Sequence, residues 1–168
     1  MSSTKKIIYY GLYSFFFFWL NLSYVNSANP KVIDLKCEYA INPLGIDVLK
    51  PRFSWRIEAE ERGILQTSYQ VIVSTTEKEL SQNKGNIWNS GKVNIPNSTG
   101  IEYDGPELSS RQRYYWKVRI WTNDNRMSEW SDPAFCEMGL LNQDDWKSNW
   151  IAYVPGIPGR VRYFKTTV

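Results

Sequence analysis

The stretch that decides the fold is 108–122, which reads LSSRQRYYWKVRIWT. From position 114 to position 121, inward and outward side chains alternate one by one. A period of two residues is typical of a β-strand with one buried face. We therefore predict the longest strand of the chain over 112–122. Its inward side chains are Tyr114, Trp116, Val118 and Ile120, and its outward side chains are Tyr115, Lys117, Arg119 and Trp121.

Shorter segments alternate in the same way, with turn residues between them. They predict strands over 32–39, 51–57, 68–74, 87–93, 99–103 and 133–139. A capping box at 76–79 predicts one short helix over about 77–82. In the first strand we expect Ile33, Leu35, Cys37 and Tyr39 to face inward, and in the second Ile57 as well. The predicted core between two antiparallel sheets is Phe53, Trp55, Tyr69, Val71, Tyr114, Trp116 and Val118.

The start of the longest strand carries a more specific signal. Leu108 precedes Tyr114 by six residues, a spacing typical of a tyrosine corner, in which the Tyr hydroxyl bonds to backbone upstream. Together, the seven predicted strands, the single helix and this spacing predict an all-β fold. The fold is a seven-stranded fibronectin type III/immunoglobulin-like antiparallel sandwich over 29–140. The alternative, that Tyr114 is an ordinary core aromatic, predicts the same burial.

Composition excludes several kinds of active site. The 168 residues include no His and two Cys, so the chain holds no Ser-His-Asp triad, no His-ligated metal and no four-Cys zinc site. We predict no catalytic, cofactor-binding or metal-binding residue. We interpret three acid clusters as solvated surface. They are Glu58/Glu60/Glu61, Glu77/Glu79 and Asp144/Asp145.

Residues 1–28 resemble a secretory signal. Two lysines, Lys5 and Lys6, precede an apolar run over 7–22, and small residues at 27 and 28 offer a cleavage site. An uncleaved membrane anchor is the alternative, but the run is shorter than the roughly 20 residues that span a bilayer. Cleavage would leave 18 basic against 17 acidic residues. We therefore predict export to a bacterial periplasm, cell surface or medium, with no stable membrane span and no nucleic-acid partner.

Export leaves two interpretations open for Cys37 and Cys136. In an oxidising compartment they could pair as a disulfide between the first and last strands. We favour the other interpretation, two small buried hydrophobic residues. Trp121 and Trp130 also have two interpretations, as platforms for sugar rings or as structural aromatics. We favour packing of Trp130 against Lys117 and Arg119 on the outward face of the long strand.

Motifs spread along the chain resemble the opening of bacterial α-L-rhamnosidases. They run in order from 32 to 168, at 37–39, 42–47, 51–55, 69–71, 88–93, 115–119, 137–141, 144–147 and 150–152. The resemblance implies an N-terminal fibronectin type III-like module, followed by a further β-sandwich whose first strand includes 162–165. It also implies that the catalytic domain, a barrel of paired helices, lies downstream, so no catalytic residue of the family is carried over to this chain.

We therefore expect three parts: a signal at 1–28, a sandwich at 29–140, and at 141–168 a connector with the first strand of a second, truncated sandwich. The resemblance implies a non-catalytic module of an exported, inverting glycosidase that removes terminal α-L-rhamnose from glycans. Its partners would be the downstream domains of the same enzyme, and a rhamnosylated glycan would be the parent's substrate. The alternatives are an independent carbohydrate-binding module and a secreted adhesion module.

Overall fold

Two antiparallel sheets face each other in the computed structural model, which describes residues 28–147. One sheet has the order β1-β2-β5 and the other β4-β3-β6-β7. The strands are β1 Lys31–Cys37, β2 Arg52–Glu58, β3 Gln66–Ser74, β4 Trp88–Asn89, β5 Ile101–Glu102, β6 Arg113–Thr122 and β7 Ala134–Glu137. The helix α1 spans Glu77–Ser81, and a 3₁₀ turn spans Gln143–Asp145. The predicted signal, apart from Ala28, and the predicted strand at 162–165 lie outside the described residues.

Aromatic pairs join the two sheets through the core. The ring of Phe53 on β2 lies 4.4 Å from that of Trp116 on β6. Trp55, also on β2, meets Tyr69 of β3 edge to face at 5.3 Å. Such pairs contribute beyond the apolar area that they bury. All seven predicted core residues are buried, and Ile57 is half-buried against them.

The first strand differs from its prediction because its alternation breaks. The register with β2 shifts between Ile33 and Lys36, and Asp34 has a left-handed φ of 52°. A bulge of this kind inserts a residue and reverses which side chains face inward. Val32 is therefore buried, and the predicted inward orientation of Ile33, which is half-buried, was wrong. Tyr39 was also predicted inward, but it lies beyond the strand and is 67% exposed.

The short helix forms where the capping box predicts it. Thr76 is the N-cap, and its hydroxyl accepts a hydrogen bond from the backbone N–H of Glu79 at 3.3 Å. The helix packs on β3 and buries Leu80. Ile72, on the outer face of β3, is also buried, so this strand is covered on both faces.

The tyrosine corner is present. The Tyr114 hydroxyl accepts a hydrogen bond from the backbone N–H of Ser109 at 2.9 Å, and the Leu108 side chain is buried beside it. Cys37 and Cys136 are free thiols, each 1% exposed, in the shared core. The neighbouring Cys136 thiol, together with burial, raises the pKa of Cys37. Both residues therefore act as buried apolar groups, in agreement with the favoured interpretation.

One buried hydrogen-bond chain ties the core to the loop before β5. The indole Nε1 of Trp55 donates to Gln66 Oε1 at 2.9 Å, and Gln66 Nε2 donates to the carbonyl of Asn97 at 2.7 Å. Gln66 is 5% exposed, so a lost partner could not be replaced freely by water. Trp116, by contrast, buries its Nε1 without a hydrogen-bond partner in the described structure.

These two indoles yield a matched pair of variants. Trp55→Phe is expected to destabilise the fold by about 1–2 kcal/mol more than Trp116→Phe, because only the first leaves a buried acceptor unpaired. Urea unfolding followed by circular dichroism measures the difference. An equal loss in both variants would contradict the role assigned to the Trp55–Gln66 bond.

Candidate functional site

The three predicted acid clusters lie on the surface, and their members are exposed or half-buried. Several have structural partners: Glu61 pairs with Arg126 at 2.7 Å, and Asp145 accepts a hydrogen bond from the backbone N–H of Asn142 at 3.0 Å. Among residues 28–147, no group of three or more Cys, Asp or Glu side chains could hold a metal ion.

Perturbed carboxyl groups in the sandwich serve turns rather than chemistry. The Arg126 guanidinium, with Thr122, lowers the pKa of Asp124 to about 2. This pairing closes the exposed turn after β6. A general acid would instead require surroundings that raise the pKa of its carboxyl group.

A groove of about 420 Å³ lies between 28–33 and 129–132. Both of its acids, Glu129 and Asp132, are exposed. Exposed acids are ordinary on a protein surface, so the exposure of these two side chains does not distinguish them from other surface acids.

Aromatic and cationic side chains alternate on the outward face of the larger sheet. Arg119 lies over two rings, 5.2 Å from the centroid of Trp121 and 4.7 Å from that of Trp130. Lys92 lies over Trp121 at 4.6 Å, and Lys117 over Trp130 at 5.3 Å. The predicted packing of Trp130 against Lys117 and Arg119 is confirmed.

We call this set of side chains the cation–π ladder: Lys92, Trp121, Arg119, Trp130 and Lys117. Hydrogen bonds fix two of its cations. The Lys117 ammonium donates to Asn83 Oδ1 at 2.7 Å, and burial lowers the pKa of Lys117. Arg119 Nε donates to Gln70 Oε1 at 2.9 Å. Sugar stacking needs an accessible ring face, whereas each of these rings already has two cations over it.

If the cation–π ladder has a structural role, Trp130→Ala should destabilise the fold. We expect it to lower the free energy of unfolding by about 1–2 kcal/mol, because two cation–π contacts of about 0.5–1 kcal/mol each are lost. Thermal unfolding measures the loss, with Trp146→Ala as the control because that side chain is 66% exposed. Weaker binding of a rhamnosylated oligosaccharide by Trp130→Ala, at an unchanged melting temperature, would instead show a sugar site.

A second candidate surface is an apolar loop that is open to solvent. The connection from β1 to β2 carries a set of exposed large apolar side chains, which we call the loop face. Its members are Tyr39 (67% exposed), Ile41 (65%), Leu44 (67%), Val48 (39%) and Leu49 (55%).

The backbone under the loop face is fixed to β7. The N–H of Ile46 donates to the carbonyl of Glu137 at 2.9 Å, and the N–H of Gly139 donates back to Ile46 at 2.7 Å. The N–H of Glu137 donates to the carbonyl of Pro43 at 3.0 Å, and Asn42 Oδ1 accepts from the N–H of Phe135 at 2.9 Å. These bonds form a short parallel addition to the sheet, with the Ile46 side chain buried as its anchor.

The turn that begins the loop is held by an ion pair. Glu38 and Tyr39 have φ values of 45° and 65°, as the two central residues of a type I′ turn do, although this turn favours Asn and Gly. Glu38 accepts hydrogen bonds from Arg52, at 2.6 Å from the backbone N–H and 2.8 Å from Nη2. These bonds to Arg52 lower the pKa of Glu38.

The lowered pKa predicts a pH dependence. At neutral pH, Glu38→Gln is expected to reduce the free energy of unfolding by about 1 kcal/mol, because the amide cannot form the ion pair. A carboxyl group whose pKa is depressed by folding stabilises above its unfolded pKa, about 4.3, and loses that contribution as the pH falls. In urea unfolding, the gap between wild type and variant should narrow from about pH 5 to about pH 3.

The control is Glu60→Gln, at an exposed position after β2. It should change stability little at either pH. A Glu38→Gln gap that stays constant down to pH 3 would contradict the ion-pair explanation.

Sequence reasoning missed the loop face. It assigned Tyr39 to the inward face of the first strand, so the apolar residues of 39–49 were not considered together. The available signal was an apolar loop between two strands that contains a single charged residue, Asp47. Its attachment to β7 could not be predicted, because the two segments lie more than 90 residues apart.

In the described part of the chain, α1, with five residues, is the only α-helix. No helix in 28–147 is long and apolar enough to cross a bilayer.

Comparison with known proteins places this sandwich among modules of much longer enzymes. The model of one family, the Rha78A-like N-terminal immunoglobulin domain, matches residues 32–142. An α-L-rhamnosidase of Formosa agariphila is 40% identical over 111 residues, which are 66% of this chain and 12% of that enzyme.

Two solved structures agree. The α-L-rhamnosidase from Dictyoglumus thermophilum superimposes with a TM-score of 0.72 at 40% identity, over 77% of this chain and 14% of that one. The α-L-rhamnosidase of Streptomyces avermitilis, in complex with L-rhamnose, gives a TM-score of 0.69 at 39% identity, over 73% and 12%. This chain thus spans 12–14% of the length of these relatives.

Proposed function

Because the chain belongs to the family of Rha78A-like N-terminal immunoglobulin domains, we propose that it is the non-catalytic N-terminal module of an α-L-rhamnosidase. The observation that carries this proposal is the pattern of the matches. Relatives about 40% identical to this chain are whole rhamnosidases, and they share with it 12–14% of their length. The module's own role is structural: it packs against the domains that follow and helps to hold them in place.

The chemistry of the parent activity supports this division of labour. An inverting glycosidase needs one carboxylic acid and one carboxylate roughly 6.5–9.5 Å apart across the scissile bond. Among the described acids, Glu79 belongs to a helix cap, and Glu38 and Asp124 form ion pairs at turns instead. The residues that cleave a terminal α-L-rhamnose from a rhamnosylated glycan would therefore belong to the downstream catalytic domain.

The proposal includes export and a domain order. Residues 1–28 would direct the chain to the periplasm, cell surface or medium and be removed there. Residues 29–140 would form the sandwich, and 141–168 would connect it to a second sandwich. The two lysines and the apolar run of 7–22 support the signal, and the family match over 32–142 supports the sandwich.

An independent carbohydrate-binding role has less support. The two Trp rings that suggested it carry cations from Lys92, Lys117 and Arg119. A binding platform would need at least one aromatic face free for the sugar ring.

The size of the native product tests the proposal. We expect the coding DNA to continue past Val168, and an antibody to this sandwich to detect a product several times larger in the source cells. Sequencing the N-terminus of that product should place its first residue at about Asn29. A native product no larger than 29–168 would contradict the role as a leading module. A larger product that retains residues 1–28 would contradict export with cleavage.

A further inference from the structure

The loop face concentrates exposed apolar surface. Nine large hydrophobic side chains are exposed among residues 28–147, and five of them belong to the loop face. Within 39–49 the single charged residue is Asp47. Isolated apolar residues are normal on a surface, but a contiguous set with few charges is typical of a contact with another polypeptide.

The face is ordered before any partner binds. Four hydrogen bonds attach 42–46 to 135–139, and the Glu38–Arg52 pair fixes the turn that presents Tyr39. Arg52 also lies over the Tyr39 ring at 5.2 Å. A surface that is already ordered loses little conformational entropy on binding, so its apolar area can contribute to affinity.

The chain leaves the sandwich beside this face. Gly139, which follows β7, packs so closely on the loop that a Cβ there would lie 3.2 Å from the carbonyl oxygen of Gly45. Arg111 then holds the outgoing segment, because its backbone N–H donates to the Gly139 carbonyl at 3.0 Å and its Nη2 to that of Asp145 at 2.9 Å. The next residue, Trp146, is 66% exposed.

We propose that the loop face, together with Trp146, is the docking surface for the domain that continues past Val168 in the full-length protein. This inference rests on the proposed function, which supplies a downstream domain. Because that domain is tethered at the same end of the sandwich, its effective concentration at the loop face is high, so a modest apolar contact suffices. The complementary surface is expected to be apolar and nearly uncharged.

Hydroxyl-radical footprinting tests the contact directly. The 168-residue chain and the full-length product are labelled side by side, and modification is quantified at Tyr39, Leu44 and Leu49. In the full-length product we expect labelling of these three residues to fall about tenfold, with Leu65 and Ile95 unchanged as exposed references elsewhere on the sandwich.

The outcomes separate this inference from the proposed function. Equal labelling of the loop face in both proteins, in a product that is several times longer, overturns the docking surface and leaves the module assignment intact. A native product no longer than this chain overturns both. Protection that appears in the 168-residue chain alone, and rises with its concentration, assigns the face to a second copy and also overturns the inference.

A double variant, compared with a single-site control, provides an independent test. Leu44→Glu with Leu49→Glu places two charges on the face, and both side chains are exposed, so the isolated sandwich should keep its melting temperature. In the full-length product, this variant should be cleaved about tenfold faster by protease within 142–150, because the contact beside that segment opens. Leu65→Glu, also at an exposed position, is the control, and an equal cleavage rate in both variants would contradict the docking surface.

Discussion

The contact between β2 and the larger sheet is the one on which the rest of the structure depends. Phe53 and Trp55 lie two residues apart on β2, and they meet Trp116 and Tyr69, which belong to different strands of the opposite sheet. A sandwich is stable only when two half-apolar sheets bury one another. Large rings carry out that burial here, because they reach across the gap between sheets, with Trp55 and Tyr69 packed edge to face and Phe53 tilted against Trp116.

The long regular strands could be predicted from the sequence, and the irregular ones could not. Alternation identified the inward faces of β3 and β6, since each continues through its ladder with neighbours on both sides. It failed in β1, where Asp34 adopts a left-handed conformation. The strand contains no Gly or Pro that would have indicated an irregularity at this point. Ile33, which precedes the bulge, was therefore assigned to the wrong face, and Tyr39 was assigned to the wrong element, whereas Leu35 and Cys37 are buried as predicted.

The surface could be predicted only in part, for a related reason. Trp130 was placed correctly against Lys117 and Arg119, because the period of β6 fixes which side chains share its outward face. The loop face depends instead on pairing between 42–46 and β7, a contact between distant parts of the chain that no local pattern encodes. The outward face of the larger sheet is thus covered by its own cations, whereas the loop face leaves apolar side chains exposed to water.

The bulge in β1 also bears on how the sheet edge is protected from aggregation. A sheet edge with a flat row of unpaired N–H and C=O groups can template growth of fibrils, and a bulge disrupts that row. β1 is an edge strand, and Asp34 interrupts it with a charge paired to Arg56 at 3.0 Å. Along β6, past the end of β7, the hydroxyls of Ser128 and Ser131 accept the N–H groups of Ile120 and Val118. Side chains thereby block two places at which an identical molecule could otherwise add a strand and start an aggregate.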